Sequence, residues 1–234
     1  MQLWICPLIA FLLGSIPFGL MIARFKGIDI RAHGSGNIGA TNVLRVVGKK
    51  YGITCLVLDA IKGYLPVILA INLIQIEGRV TMPLLGLPES LVLPLPASQQ
   101  FTGQLVHVLT ALCAILGHNY SPWVGFKGGK GIATSAGALL GLMPFAVIIL
   151  IIVWLGFFFS TRYVAVASIA AAAFLPFVTL WGSWHHGRLA DGTWNKPLFI
   201  FTVVIAVLAI WKHRSNIARL RSGTEHRFER KRKA

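Results

Sequence analysis

Residues 144–159 read PFAVIILIIVWLGFFF, an uncharged run that is apolar on every face of any helix or strand. It contains neither the one-sided stripe of a water-facing helix nor the period-2 alternation of an outer-membrane barrel, so lipid must surround it. Comparable runs lie near 2–25, 51–76, 104–120, 134–159, 163–181 and 197–211, each long enough or nearly so to cross ~30 Å of hydrocarbon. Composition agrees: with 56% hydrophobic and 12% charged residues, the chain has too little polar surface to cover a soluble globule. The predicted fold class is an all-α integral membrane protein, with residues 1–234 forming one polytopic domain. The first run opens without basic residues and ends in Arg24 and Lys26 rather than a small-residue cleavage site, so it is expected to stay as the first helix. Cys6, Cys55 and Cys113 fall inside apolar runs without CxxC spacing and read as buried hydrophobes.

A formal charge of +15 suggests nucleic acid until the positions of the basic residues are considered. Residues 24–50 hold six Lys or Arg, 127 and 130 two more, and 212–233 nine, whereas 77–103 and 182–196 hold only Arg79, Arg188 and Lys196. The positive-inside rule puts the first group in the cytoplasm and makes the N-terminus external. Parity then requires four crossings after residue 133 if the basic C-terminus is also to be cytoplasmic. Gly141-Leu142-Met143-Pro144 is the best place to divide 134–159. Seven helices result, some of them short or broken, with Arg162 inside; five or six spans with one long or re-entrant element are the alternative. Trp181, Trp184, Trp194 and Trp211 fall near the expected water boundaries.

The loop after the first helix crowds Gly34, Gly36 and Gly39 among Ser35, Asn37, Thr41 and Asn42, with Arg45 following. Glycines let backbone N–H groups approach an anion, the polar side chains add donors, and a guanidinium can grip phosphate bidentately. A flexible turn needs only one or two such residues. The loop after the third helix reads FKGGKG at 126–131: Lys127 and Lys130 sit among Gly128, Gly129 and Gly131, ahead of a helix whose positive end would fall near Ala133 and Thr134. The GxxxxGK[ST] spacing fails because Gly131 follows Lys130, so this is not a nucleotide-hydrolysing P-loop. The lysines alone would also suit positive-inside anchoring.

Asp59 and Lys62 stand three residues apart on an otherwise apolar helix. They read either as a mutually neutralising pair that orients packing or as a support for substrate. His213 and Asn216 share a helical face at the inner surface, with Arg219 a turn further on, suited either to phosphate and hydroxyl groups or to interfacial anchoring. Residues 226–234, HRFERKRKA, are expected to be a basic tail lying on anionic lipid. His185-His186 lies in a predicted external loop and makes a poor metal site. Gly137 and Gly141 form a GxxxG pair suited to close helix approach.

At GSGNIGATN (34–42), GHNYSPWVGFKGGKGIAT (117–134), STRYVAVASI (160–169) and HRSNIARL (213–220), in this order and along nearly the whole length, the chain resembles the bacterial acyl-phosphate:glycerol-3-phosphate acyltransferases of the inner membrane. The resemblance implies seven helices and transfer of a fatty acyl group from acyl phosphate to position 1 of sn-glycerol 3-phosphate. The products would be lysophosphatidic acid and phosphate, an early step of phospholipid synthesis, made on the cytoplasmic face. It implies Ser35, Arg45, Lys130, His213 and Asn216 as catalytic residues. Gly34, Gly36, Asn37, Gly39, Thr41, Asn42, Lys127, Gly128, Gly129, Gly131 and Ser168 are then expected to bind the phosphate-bearing substrates, with Asp59, Lys62, His118, Arg162 and Arg219 in support. The two substrates and membrane lipids are the expected partners; nucleic acid, metal and organic cofactor are not expected. The HxxxxD spacing of the thioester-using acyltransferases occurs only at His186–Asp191, in the predicted external loop away from the phosphate-suited motifs, so the donor phosphate, with a second pKa near ~6, is expected to take the hydroxyl proton itself. An anion transporter or a noncatalytic lipid-binding scaffold would also want basic loops, but the former should show its groups on both faces and an inverted repeat.

Overall fold

The computed structural model describes residues 2–79 and 85–228. The described elements are helical apart from two short strands and their connecting loops, and the chain divides into two compact units, residues 1–143 and 144–234.

In the first unit, the apolar run at 2–25 is interrupted. α1 (Gln2–Ser15) stops before Ile16-Pro17, and α2 (Phe18–Phe25) resumes the span; Pro17 lacks the N–H that would continue the ladder. A short α3 (Ala40–Val46) follows the glycine-rich loop, then the long α4 (Lys49–Leu73). The run expected to continue to residue 76 leaves the helix at Leu73: Ile74–Ile76 forms β1, which pairs in parallel with β2 (Leu93–Leu95) in the register Ile74↔Leu93. Isoleucines suit an extended pleat better than a helix end. α5 (Gln100–Asn119) and the 11-residue α6 (Ile132–Leu142) complete the unit.

Small residues set how closely these helices approach. α1 packs on α5 and α4 on α6. A Cβ on Gly14 would overlap the Ala114 carbonyl, and one on Gly117 the Phe11 carbonyl. Between α4 and α6, a Cβ on Gly63 would overlap the Thr134 carbonyl, one on Gly137 the Ala60 carbonyl, and one on Gly141 would lie 2.8 Å from Val67 Cγ1. The GxxxG pair thus performs the close-approach role predicted for it. A second cluster of Leu20, Ala23, Ile30, Ile38, Val43, Cys55 and Val124 lies under the first loop. It fastens that loop at Ile30 and Ile38, each burial contributing about 1.5–3 kcal/mol against water.

In the second unit, α7 (Pro144–Thr161) begins with proline at its first position, where no helical donor is lost. α8 (Val164–His185) packs between α7 and α9 (Lys196–Lys212), and α9 bends by 50° into α10 (Arg214–Arg221). Helices therefore end and restart at Met143-Pro144, as the sequence suggests. Among the described residues, five helical segments are long and apolar enough to cross a membrane, or six if α9 and α10 count as one bent span. α6, at about 16 Å, falls short on its own.

Candidate active site

The first unit carries two glycine-rich loops. In the first, Asn42 is 2% exposed and organises everything around it. Its Oδ1 accepts the Ser35 N–H at 3.0 Å, and its Nδ2 donates to the carbonyls of Asn37 at 2.9 Å, His33 at 3.0 Å and Ile30 at 3.3 Å. Gly34 and Gly36 adopt φ of 60° and 68°, and a Cβ at Gly34 would run into Asn42 Oδ1. The Asn37 side chain accepts the Gly39 N–H at 2.8 Å, closing the turn into α3. Asn37 and Asn42, read from sequence as donors to an anion, thus spend the groups named here on shaping the loop. The loop presents Ser35 and Thr41, both half-buried, with Arg45 half-buried on α3. At its entrance the Asp29 carboxylate accepts Arg31 Nε and Nη2, each at 2.9 Å, and the guanidinium holds the carboxyl down to about 2.

The second loop is built on the end of α5. His118, 5% exposed, accepts the Gly129 N–H on its carbonyl at 3.1 Å. A Cβ on Gly128 would overlap that carbonyl, and one on Gly129 would overlap His118 Nε2. Gly131, at φ 79°, caps α6, and a Cβ there would come within 2.7 Å of Asn119 Oδ1. The glycines of FKGGKG are therefore a steric requirement as well as an opening for an anion. Lys127 is exposed and Lys130 half-buried ahead of the first turn of α6, where helix N–H groups lack intrahelical partners.

Beneath lies the cluster singled out on α4. Lys62 Nζ stands 2.8 Å from Asp59 Oδ1, and His118 Nδ1 lies 3.7 Å from the same oxygen. The pair on α4 and His118, distant from it in sequence, are brought together and buried.

In the second unit, Ser168 on α8 is buried and its Oγ accepts Trp154 Nε1 at 3.2 Å. His213 caps α9 at 3% exposure, its Nδ1 2.8 Å from the Ala209 carbonyl. A carbonyl only accepts, so Nδ1 carries a proton and Nε2 is the acceptor of the neutral ring. Asn216 donates from Nδ2 to Glu225 Oε1 at 2.8 Å, and Arg219 Nε lies 2.7 Å from Glu225 Oε2. Glu225 is the residue that sequence reasoning missed. Its signal was an acid among basic residues just after Gly223, whose φ of 71° turns the chain back on α10. The segment continues inward: the Phe228 N–H donates to the Arg162 carbonyl at 3.0 Å, and Phe228 meets Phe158 edge-on at 5.7 Å. Arg162 itself has φ 65°. Of the expected lipid-facing tail at 226–234, residues 229–234 lie outside the described residues. Among the described residues, no three His, Cys, Asp or Glu side chains converge to hold a metal ion.

Two basic, glycine-lined loops and a buried His/Asn pair suit chemistry on phosphate-bearing substrates. Comparison with known proteins agrees. The chain is 40% identical to a glycerol-3-phosphate acyltransferase of Geobacter sulfurreducens over 222 residues, covering 94% of this chain and 95% of the relative. It is also 40% identical to one of Aquifex aeolicus over 221 residues, with coverage of 94% and 95%. Among solved structures, it resembles PlsY (YgiH), an integral membrane glycerol 3-phosphate acyltransferase. The glycerol 3-phosphate form superposes with a TM-score of 0.76 at 36% identity, covering 98% of this chain and 96% of that one. The lysophosphatidic acid form gives 0.73 at 35% identity, with the same coverage. With residues 4–223 matching the family model for glycerol-3-phosphate acyltransferase, the chain belongs to that family of integral membrane enzymes.

Proposed function

We propose that the protein transfers a fatty acyl group from acyl phosphate to the 1-hydroxyl of sn-glycerol 3-phosphate, releasing lysophosphatidic acid and phosphate. The observation that carries this reading is the pair of preorganised basic loops in a member of this family: both substrates bear phosphate, and each loop offers a half-buried cation, Arg45 or Lys130, beside backbone held open by glycine. A mixed anhydride is already activated, so positioning and charge neutralisation supply much of the catalysis. Arg45, Lys130 and Lys127 hold phosphate oxygens against the glycine-lined backbone. Ser35 and Asn216 orient the glycerol hydroxyl, with Thr41 and Ser168 as further hydroxyl contacts, and His213 binds phosphate or assists the proton. The hydroxyl oxygen attacks the acyl carbon, the bond from that carbon to the phosphate oxygen breaks, and the departing phosphate takes the proton. Seven crossings, an external N-terminus, a cytoplasmic C-terminus and a cytoplasmic-facing site in a bacterial inner membrane follow from the charge distribution. In that scheme α6 is a short crossing, so the 126–131 loop sits recessed below the headgroups. Membrane lipids surround the helices.

Phosphate release from palmitoyl phosphate by purified protein, with and without glycerol 3-phosphate, tests the reading while lysophosphatidic acid is followed by mass spectrometry. Equimolar, acceptor-dependent products from acyl phosphate, with none from acyl-CoA, are expected. Acyl-CoA serving equally well refutes the donor assignment. His213→Gln tests the proton's route: near-normal turnover excludes the imidazole as an essential base.

A further inference from the structure

A buried ion pair stabilises little by itself, because desolvation offsets the attraction of the charges. The Asp59–Lys62 pair on α4 is 2% and 5% exposed, and each partner reaches beyond the other. Lys62 Nζ also donates to the Ile16 carbonyl at 2.7 Å and lies 5.4 Å over the Phe18 ring. Where α1 ends before Pro17 that carbonyl also accepts the Phe18 N–H at 3.1 Å, and the ammonium adds a charged donor that ties α4 to the broken span. The segment after α5 is tied to the same break: Ser121 Oγ donates to the Ser15 carbonyl at 2.6 Å, and Trp123 Nε1 to Ser15 Oγ at 2.9 Å. Asp59 faces the other way, with Oδ1 3.7 Å from His118 Nδ1 and Oδ2 3.6 Å from Cys55 Sγ. At 3.7 Å the imidazole feels the carboxylate's charge without a direct hydrogen bond. His118 is the floor of the second loop, touching Gly128 and Gly129 through both its carbonyl and its ring.

We propose that Asp59 and Lys62 are positioning residues for the FKGGKG loop. Lys62 holds the end of α1 to which the start of the loop is tied, and Asp59 orients the imidazole on which Gly128 and Gly129 rest. Lys130 is thereby presented at a set height and angle. Simple mutual neutralisation would not require either partner to engage a third group. The inference rests on the reading that Lys130 holds a substrate phosphate.

The test uses the full-length protein with palmitoyl phosphate and glycerol 3-phosphate varied separately. Lys130→Ala identifies, by the KM it raises, which substrate the loop holds. Asp59→Asn is expected to raise that same KM about tenfold while kcat changes by less than about threefold. The double variant Asp59→Asn/Lys62→Met leaves no lone buried charge, so it should fold, yet the raised KM should persist. A KM restored to the wild-type value in the double variant overturns the proposal, since the pair would then serve only itself. A rate lowered in proportion to folded protein with KM unchanged overturns it as well. Trypsin supplies a readout independent of turnover: cleavage after Lys127 or Lys130 should be about fivefold faster in the double variant if the loop has lost its floor. An unchanged cleavage rate defeats the positioning role, whereas an unchanged KM in Lys130→Ala defeats the phosphate reading of the loop, so the two failures are distinguishable.

Discussion

Asn42→Asp replaces one side-chain NH2 group with oxygen and leaves the shape almost unaltered, yet the geometry of the first loop makes it a severe change. The Asn42 amide has two N–H bonds to give. The contacts at 2.9 and 3.0 Å are full hydrogen bonds, the one at 3.3 Å is a longer share, and Oδ1 accepts a third full bond from Ser35 at 3.0 Å. At about 1 kcal/mol net for each full bond, Asn42→Ala should cost about 3 kcal/mol. With roughly 2–4 °C per kcal/mol for a chain of this size, its melting temperature in detergent should fall by about 6–12 °C. Aspartate keeps the Ser35 bond but turns an oxygen toward three carbonyls at a site only 2% exposed. It should therefore destabilise at least as much as alanine despite the closer shape. Both variants displace Ser35, and kcat/KM should fall by about 100-fold, as expected for a reacting group moved by about 1 Å. The assays are thermal unfolding and initial-rate kinetics on the same preparations. An Asn42→Asp protein that melts within about 2 °C of wild type would refute the reasoning. So would an Asn42→Ala protein with raised KM and unchanged melting temperature, for the side chain would then meet substrate and not the loop.

Glu225→Ala removes the acceptor shared by Asn216 and the partly exposed Arg219 and should destabilise by about 1–3 kcal/mol; Glu225→Gln should recover part of the loss and most of kcat, measured by melting and turnover. Gly137→Ala puts a methyl into the Ala60 carbonyl, forcing α4 and α6 apart at a cost of about 1–3 kcal/mol in thermal unfolding. Trp154→Phe withdraws the donor to Ser168 Oγ and should change kcat by less than about tenfold with little loss of stability, because a Phe fills most of the same space. The Asp29 carboxyl is depressed on folding to about 2, so its pair with Arg31 contributes above the unfolded carboxylate range near ~4 and fades as pH falls toward 2. The protection of the Arg31 amide, its exchange rate relative to that of an unstructured amide at the same pH, should fall across that window in wild type and lose this step in Asp29→Asn.

Membrane residence, helical class and the break before Pro144 were legible because lipid imposes one-dimensional rules: an apolar run must be long enough, and proline cannot continue a helix. The anion-suited character of the two loops was likewise visible as glycine density beside cations at 34–45 and 126–131. The strand at 74–76 was not, since three residues of an apolar run carry no helix-stop signal until β2 arrives from 93–95 to pair with them. Nor was the break at Ile16-Pro17 read as a place where a backbone carbonyl would receive Lys62.

Within the second loop, the sequence suggested that glycine admits an anion, whereas the structure shows that glycine also makes room for His118. The division of labour among polar residues was the least legible layer. Asn42 looked like a donor to substrate and proved to be the internal brace of its loop, while Glu225, not singled out in the sequence, proved to hold Asn216. The sequence alone determined what kind of solvent the chain needs and which chemistry its motifs suit, because these follow from composition and short-range order. Only the tertiary structure decided which hydrogen-bonding groups are used up internally, because a side chain's partners arrive from distant parts of the chain and a buried polar group takes whichever partner packing delivers.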